Sequence, residues 1–220
     1  MPVTTLLFDL DGTLLETEPG ILGCYRHTFR HLGVSIPEEL NLREFIGPPL
    51  QDSFRKLLGE ERVDAAVEIY RQCYDQKGKL EASLYEGIHP AVQTLSATYR
   101  LMVATSKRNS FAQEMMEHFG LAPYFTAIYG VHAQNLSESK ASLIGRILHD
   151  HRLTPTEAVM IGDRAFDILG AKAHRMRSVG VLWGYGSLEE LQSHGADLLC
   201  QEPASLPDDI ARLRSGRLRR

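Results

Sequence analysis

Leu6, Leu7, Phe8 and Leu10 make an apolar run that ends in two acids, Asp9 and Asp11, with Gly12 and Thr13 directly behind. The run reads as a buried strand over Thr4 to Leu10, and buried parallel strands belong to sheets covered on both faces. Acids at the end of such a strand put charge at the carboxyl edge of the sheet, where open α/β sheets hold their ligands. Side chains at i and i+2 of an extended segment share a face, so Asp9 and Asp11 are expected to converge on one point. Gly12 allows a sharp turn and a close approach of backbone to an anion. Taken alone, these residues fit a strand and a plain polar turn equally well, since Asp-Gly is a common turn pair.

The rest of the chain sets the architecture. From Glu18 to about Leu84 the periods are helical, with no convincing strand. Ile21, Leu22, Tyr25, Phe29 and Leu32 recur at helical spacing up to Gly33. Further helices are expected over Leu42–Ile46, Leu50–Leu58 and Val63–Gln76, with a break at Gly47-Pro48-Pro49. Beyond Tyr85, strands and helices alternate. Strands are expected over Leu101–Thr105, Ala127–Val131, Ala158–Ile161, Ser178–Leu182 and Asp197–Cys200. Helices of similar length lie between them and after the last. This pattern predicts an α/β fold: a Rossmann-like parallel sheet with helices on both faces. A helical domain, residues 16–84, is inserted into a core made of residues 1–15 and 85–220.

Three later strand or helix ends carry polar residues. Met102-Val103-Ala104 runs into Thr105-Ser106-Lys107. Val159-Met160-Ile161 runs into Gly162-Asp163, with Asp167 four residues on. Lys140 precedes the helix at Leu143. In a parallel sheet these ends share one edge with Asp9 and Asp11. Acids, a hydroxyl with adjacent amides, and a lysine suit metal-assisted phosphoryl transfer. Mg²⁺ takes carboxylates, water and substrate phosphate, amides bind phosphate oxygens, and a lysine offsets charge in the transferring group.

Asp9-Leu10-Asp11-Gly12-Thr13, Thr105, Lys140 and Gly162-Asp163-x-x-x-Asp167, in this order, resemble the motifs of the haloacid dehalogenase superfamily of phosphatases, over nearly the whole chain. The resemblance implies that the insert is a helical cap. It implies that Asp9 is the nucleophile forming an aspartyl-phosphate and that Asp11 is the general acid, then the base. Asp9, the backbone carbonyl of Asp11, and Asp163 would hold Mg²⁺, with Asp167 in support. Thr105, the Ser106 amide and Gly12 would face phosphate, and Lys140 would pair with Asp9. Many relatives have Asn at the position of Ser106 and Pro at that of Ala141. Cap loops of the family meet substrate, which makes Gly47 a candidate contact, and Arg71 a second one.

Asp11 favours phosphoryl chemistry over dehalogenation, which lacks that second acid. The Gly162-Asp163-Arg164 and Ala104-Thr105-Ser106-Lys107 runs look like a bacterial 5'-nucleotidase-like branch. Phosphoglycolate phosphatase, a phosphotyrosine-type phosphatase and a sugar phosphomutase are the alternatives. Gly184-Tyr185-Gly186 reads first as a plain loop, and second as a contact of the active site. His149 and His151 read as a solvated helix end. Arg212 to Arg220 read as a frayed basic tail.

A net charge of −4 argues against nucleic acid as partner. No apolar run approaches the ~18 residues of a membrane span. No secretory signal is visible, and three scattered cysteines fit a reducing cytoplasm. The expected partner is a small phosphorylated metabolite, and the expected state is a monomer or weak dimer.

Overall fold

The computed structural model describes residues 2–132 and 138–215. The chain divides into two compact units, Met1–Leu15 with Leu84–Arg220, and Glu16–Ser83. In chain order the elements are β1 (Thr5–Phe8), β2 (Leu15–Glu16), α1 (Glu18–His31), α2 (Leu50–Leu58), α3 (Val63–Gln76), β3 (Ser83–Leu84) and α4 (Ile88–Ser96). There follow β4 (Arg100–Arg108), α5 (Asn109–His118), β5 (Ala127–Val131), α6 (Lys140–Asp150), β6 (Ala158–Gly162) and α7 (Ala165–Ala173). The last are β7 (Arg177–Val181), α8 (Leu188–Ser193), β8 (Leu198–Cys200) and α9 (Leu206–Ser215).

The first unit is the expected α/β fold. Its sheet has the order β5-β4-β1-β6-β7-β8, and every neighbouring pair is parallel. Leu6, Leu7 and Phe8 are fully buried, as are Val159, Met160 and Ile161. Leu143, Ile144 and Ile147 of α6 and Ala171 of α7 pack on one face with Leu7, Met102 and Met160. Six large apolar side chains buried on two strands contribute about 1.5–3 kcal/mol each, so the middle of the sheet is its most firmly held part. The chain winds from β1 out to β5, then returns across β1 to β6. Winding direction therefore reverses at β1, which leaves a crevice at its carboxyl end.

The second unit has α1, α2 and α3 around an aromatic core. Tyr25 meets Phe54 and Tyr70 at 5.1 Å between ring centroids, and Tyr70 stacks on Tyr74. Cys24 and Cys73, far apart in sequence, meet in this core as thiols, Sγ to Sγ 2.7 Å.

Local differences from the expected elements have physical causes. β1 stops at Phe8, not Leu10, because the chain turns. The Leu10 carbonyl accepts from the backbone N–H groups of Leu14 and Leu15 at 3.0 and 2.9 Å. β4 runs on to Arg108 past Thr105, although its pairing with β5 is irregular between Ala104 and Arg108; the polar Ser106 and Lys107 hid that extension. The helix expected at Leu42–Ile46 is a single 3-10 turn, Leu42–Phe45, begun by Asn41 and ended before the Gly47-Pro48-Pro49 break. The stretch expected to lack strands ends in β3, which pairs with β2. Among the described residues no helix is long and apolar enough to cross a membrane. The basic-tail expectation falls largely on residues 216–220, outside the described residues. Ser139 caps α6 by accepting from the Ser142 N–H at 3.1 Å.

Candidate active site

Strand register brings the distant polar residues together. Phe8 of β1 lies level with Val103 of β4 and Ile161 of β6. The Asp9 N–H continues the ladder, donating to the Ile161 carbonyl at 2.9 Å. Asp9 and Asp163 directly follow β1 and β6, and Thr105 stands in β4 where its pairing with β5 becomes irregular. α6 opens on Lys140, and Asp167 is the third residue of α7.

Lys140 organises this edge. Its Nζ lies 2.7 Å from Asp167 Oδ1, 3.1 Å from Asp9 Oδ1, and donates to the Ala104 carbonyl at 2.9 Å. Three contacts match the three donors of an ammonium. Burial alone would lower its pKa, but Asp167 and Asp9 outweigh burial and hold the lysine charged. Asp163 is fully buried. Its Oδ1 accepts from the Thr13 hydroxyl at 3.2 Å and its Oδ2 from the Tyr185 N–H at 2.8 Å. Gly12, at φ +78°, presses against it: a Cβ there would stand 2.3 Å from Asp163 Oδ2. The glycine is thus required by both backbone angle and space.

Asp9, Asp163 and Asp167 offer carboxylate oxygens that all lie within 4.8 Å of one another. Three buried carboxylates against one lysine leave two negative charges. Burial, with help from neighbouring acids, pushes Asp9 up to about 7 despite Lys140, and pushes Asp163 well above the usual carboxylate range. A divalent cation would offset the same two charges, and all-oxygen ligands suit a hard one. The donor set therefore fits Mg²⁺.

Asp11 meets the expected geometry only in part. It stays close enough to Asp9 for its charge to help raise the Asp9 pKa, but it also takes a partner that i, i+2 spacing did not suggest. Asp11 Oδ1 pairs with Lys107 Nζ at 3.1 Å. Thr105 is buried, and its Oγ1 accepts from the Lys107 N–H at 3.1 Å; Ser106 next to it is exposed. Gly47, at φ +105°, stands in the break before α2, and Arg71 lies half-buried on α3. Both belong to the second unit.

Sequence reasoning missed Lys107, whose signal was its place directly after Thr105-Ser106. It also ranked Gly184-Tyr185-Gly186 first as a plain loop, yet that loop holds Asp163, and Trp183 Nε1 donates to the Thr13 carbonyl at 3.0 Å. His149 and His151 do end α6, bonded to Asp150 and Tyr129.

Residues 6–181 match a family profile described as haloacid dehalogenase-like hydrolase. The chain belongs to this family. It is similar to the 5'-nucleotidase of Pseudomonas aeruginosa, 36% identical over 204 residues that cover 91% of this chain and 92% of that one. It is 37% identical over 182 residues to the tyrosine-protein kinase PtkA of Mycobacterium tuberculosis, across 82% of this chain. There it spans 62% of the relative's length. A solved haloacid dehalogenase-like hydrolase of Streptococcus pneumoniae superimposes with TM-score 0.89 at 36% identity, covering 93% of this chain and 96% of that one.

Proposed function

We propose that this family member is a Mg²⁺-dependent phosphomonoester hydrolase that works through a phosphorylated Asp9. The observation that carries the reading is Lys140 Nζ bridging Asp9 and Asp167 beside Asp163. A carboxylate is a weak nucleophile and a phosphate dianion repels it, so cationic charge must be in place before attack. Lys140 supplies one such charge at the Asp9 carboxylate. Mg²⁺, held by Asp9, the Asp11 carbonyl and Asp163 with Asp167 in support, would supply the rest by offsetting phosphate charge. Thr105 Oγ1, the Ser106 N–H and the Gly12 turn bind phosphate oxygens.

In the first step an Asp9 oxygen bonds to phosphorus and the ester P–O bond breaks. Asp11 gives its proton to the leaving oxygen. In the second step Asp11 takes a proton from a water molecule whose oxygen bonds to phosphorus. The bond from Asp9 to phosphorus breaks, and inorganic phosphate leaves. Lys107 keeps the Asp11 carboxyl oriented between these steps. Asp11→Asn should slow formation and breakdown of the phosphorylated enzyme by about 10²–10⁴-fold, the usual worth of positioned proton transfer. Rapid quenching with radiolabelled substrate checks this, and an unchanged rate at both steps would take Asp11 out of the acid–base role.

The substrate is a nucleoside 5'-monophosphate or a similar small phosphorylated metabolite. Support comes from the end-to-end match to a protein named 5'-nucleotidase. Phosphate release from a panel of nucleoside monophosphates, phosphoglycolate and aryl phosphates, with and without Mg²⁺, tests it. Preference for aryl phosphates would favour a phosphotyrosine-type activity. The Asp9 edge engages only phosphate and cation, which every phosphomonoester offers. Choice among substrates is therefore assigned to the helical unit, acting as a cap, through Gly47-Pro48-Pro49-Leu50 and Arg71. Arg71→Ala or Pro49→Ala should reorder the panel while leaving Mg²⁺ affinity near the wild-type value. Equal scaling of all substrates would refute that assignment.

A further inference from the structure

β6 ends at Gly162 and α7 begins at Ala165, so Asp163 sits in a two-residue gap with no ladder of its own. The segment between β7 and α8 does much of the holding. The Tyr185 N–H binds the Asp163 carboxylate. Gly186 lies flush against the Asp163 main chain: a Cβ on Gly186 would stand 1.9 Å from the Asp163 carbonyl oxygen. Such a wall works only if its own end is fixed.

That end is α8. Ser187 caps it, its Oγ accepting from the Glu190 N–H at 3.0 Å, and fully buried Leu191 anchors it. Glu190 then reaches back across the gap. One oxygen, Oε1, accepts from Arg164 Nε at 3.0 Å and from the Ala165 N–H at 2.8 Å. Arg164 directly follows Asp163, and Ala165 opens the helix that presents Asp167. Burial alone would raise the Glu190 pKa; the bonds from Ala165 and Arg164 outweigh it and lower the value, keeping the clamp ionised.

We propose that Glu190 is a positioning residue for the cation site, tying the Asp163-bearing gap and the Asp167-bearing helix to the loop that grips Asp163. This rests on the reading of the acid cluster as a Mg²⁺ site. Residues that orient metal ligands without touching the metal typically govern 10–100-fold of affinity. Neither the four-motif pattern nor the spacing around Asp163 singles out a residue 27 positions further on.

The test uses the full chain, stripped of metal, with Mg²⁺ as probe and the rise in melting temperature with Mg²⁺ concentration as readout. Glu190→Ala should weaken apparent Mg²⁺ binding by about tenfold or more, with kcat at saturating Mg²⁺ close to wild type. Glu190→Gln retains an acceptor for the Ala165 N–H and should recover part of the loss. Ile210→Ala, a core truncation in α9, should lower the melting temperature yet leave Mg²⁺ affinity unchanged. Wild-type affinity in Glu190→Ala overturns the proposal. Equal weakening in Ile210→Ala overturns it too, since Glu190 would then act through stability alone. A wild-type chain that does not respond to Mg²⁺ removes the cation reading itself, a result distinct from both.

Discussion

Asp9→Asn should yield a folded chain whose phosphatase turnover falls on the order of 10⁴–10⁶-fold, the scale on which loss of a covalent-catalysis residue is felt. Asparagine keeps an oxygen for the Leu10 N–H and Lys140, which bond Asp9 at 2.8 and 3.1 Å. What it loses is the nucleophile. The same substitution should alter the pH dependence of metal-free stability. The Asp9 pKa rises from 3.8 to about 7 on folding, so the folded state binds the proton more tightly. That contribution is fully present below pH 3.8 and is lost as pH rises through about 7. Asp9→Asn removes it and should flatten the metal-free melting temperature between about pH 4 and 7, while circular dichroism stays unchanged. Robust turnover by this variant would remove Asp9 from the nucleophile role.

Lys140→Met should be the most destabilising change at the site. The lysine is 6% exposed and contacts two carboxylates. Removing it leaves Asp9, Asp163 and Asp167 buried together with no lysine among them. Breaking a buried pair by deleting one partner costs about 3–5 kcal/mol. Proton uptake by the acids limits the loss at low pH, so stability should fall more steeply with rising pH than in the wild type. Added Mg²⁺ should restore part of it by supplying positive charge at the same carboxylates. Turnover at saturating Mg²⁺ should still drop on the order of 10²–10³-fold, the scale of one preorganised charge-stabilising donor. Urea unfolding at pH 6 and pH 8, with and without Mg²⁺, checks the first part and steady-state kinetics the second. A variant as stable as wild type at pH 8 without Mg²⁺ would show that the ammonium does not hold the cluster together.

Much of the sheet was legible because its signal is local. Val159-Met160-Ile161 and Leu6-Leu7-Phe8 are apolar runs of strand length with turn residues at their ends, and burial on both faces needs that composition. The strand ends that carry Asp9 and Asp163 were legible for a related reason. A polar residue right after an apolar run has to emerge at the sheet edge, and parallel strands share one such edge. The 3-10 turn at Leu42–Phe45 was not legible as such, because four residues with two apolar side chains fit a short helix equally well.

Pairings across the site were decided by the tertiary structure. Asp9 and Asp11, two residues apart, face different lysines, Lys140 and Lys107. The turn that separates them from each other's partners follows Asp9 and is closed by backbone bonds to the Leu10 carbonyl. Likewise, no spacing rule could tell that the Gly184-Tyr185-Gly186 loop would grip Asp163, since contact depends on β7 lying beside β6. The sequence by itself determined which residue types arrive at the carboxyl edge, because burial dictates where apolar runs must stop. Which charge meets which was settled only by packing, because a charge buried with its neighbours takes the partner that the surrounding backbone holds within about 3 Å.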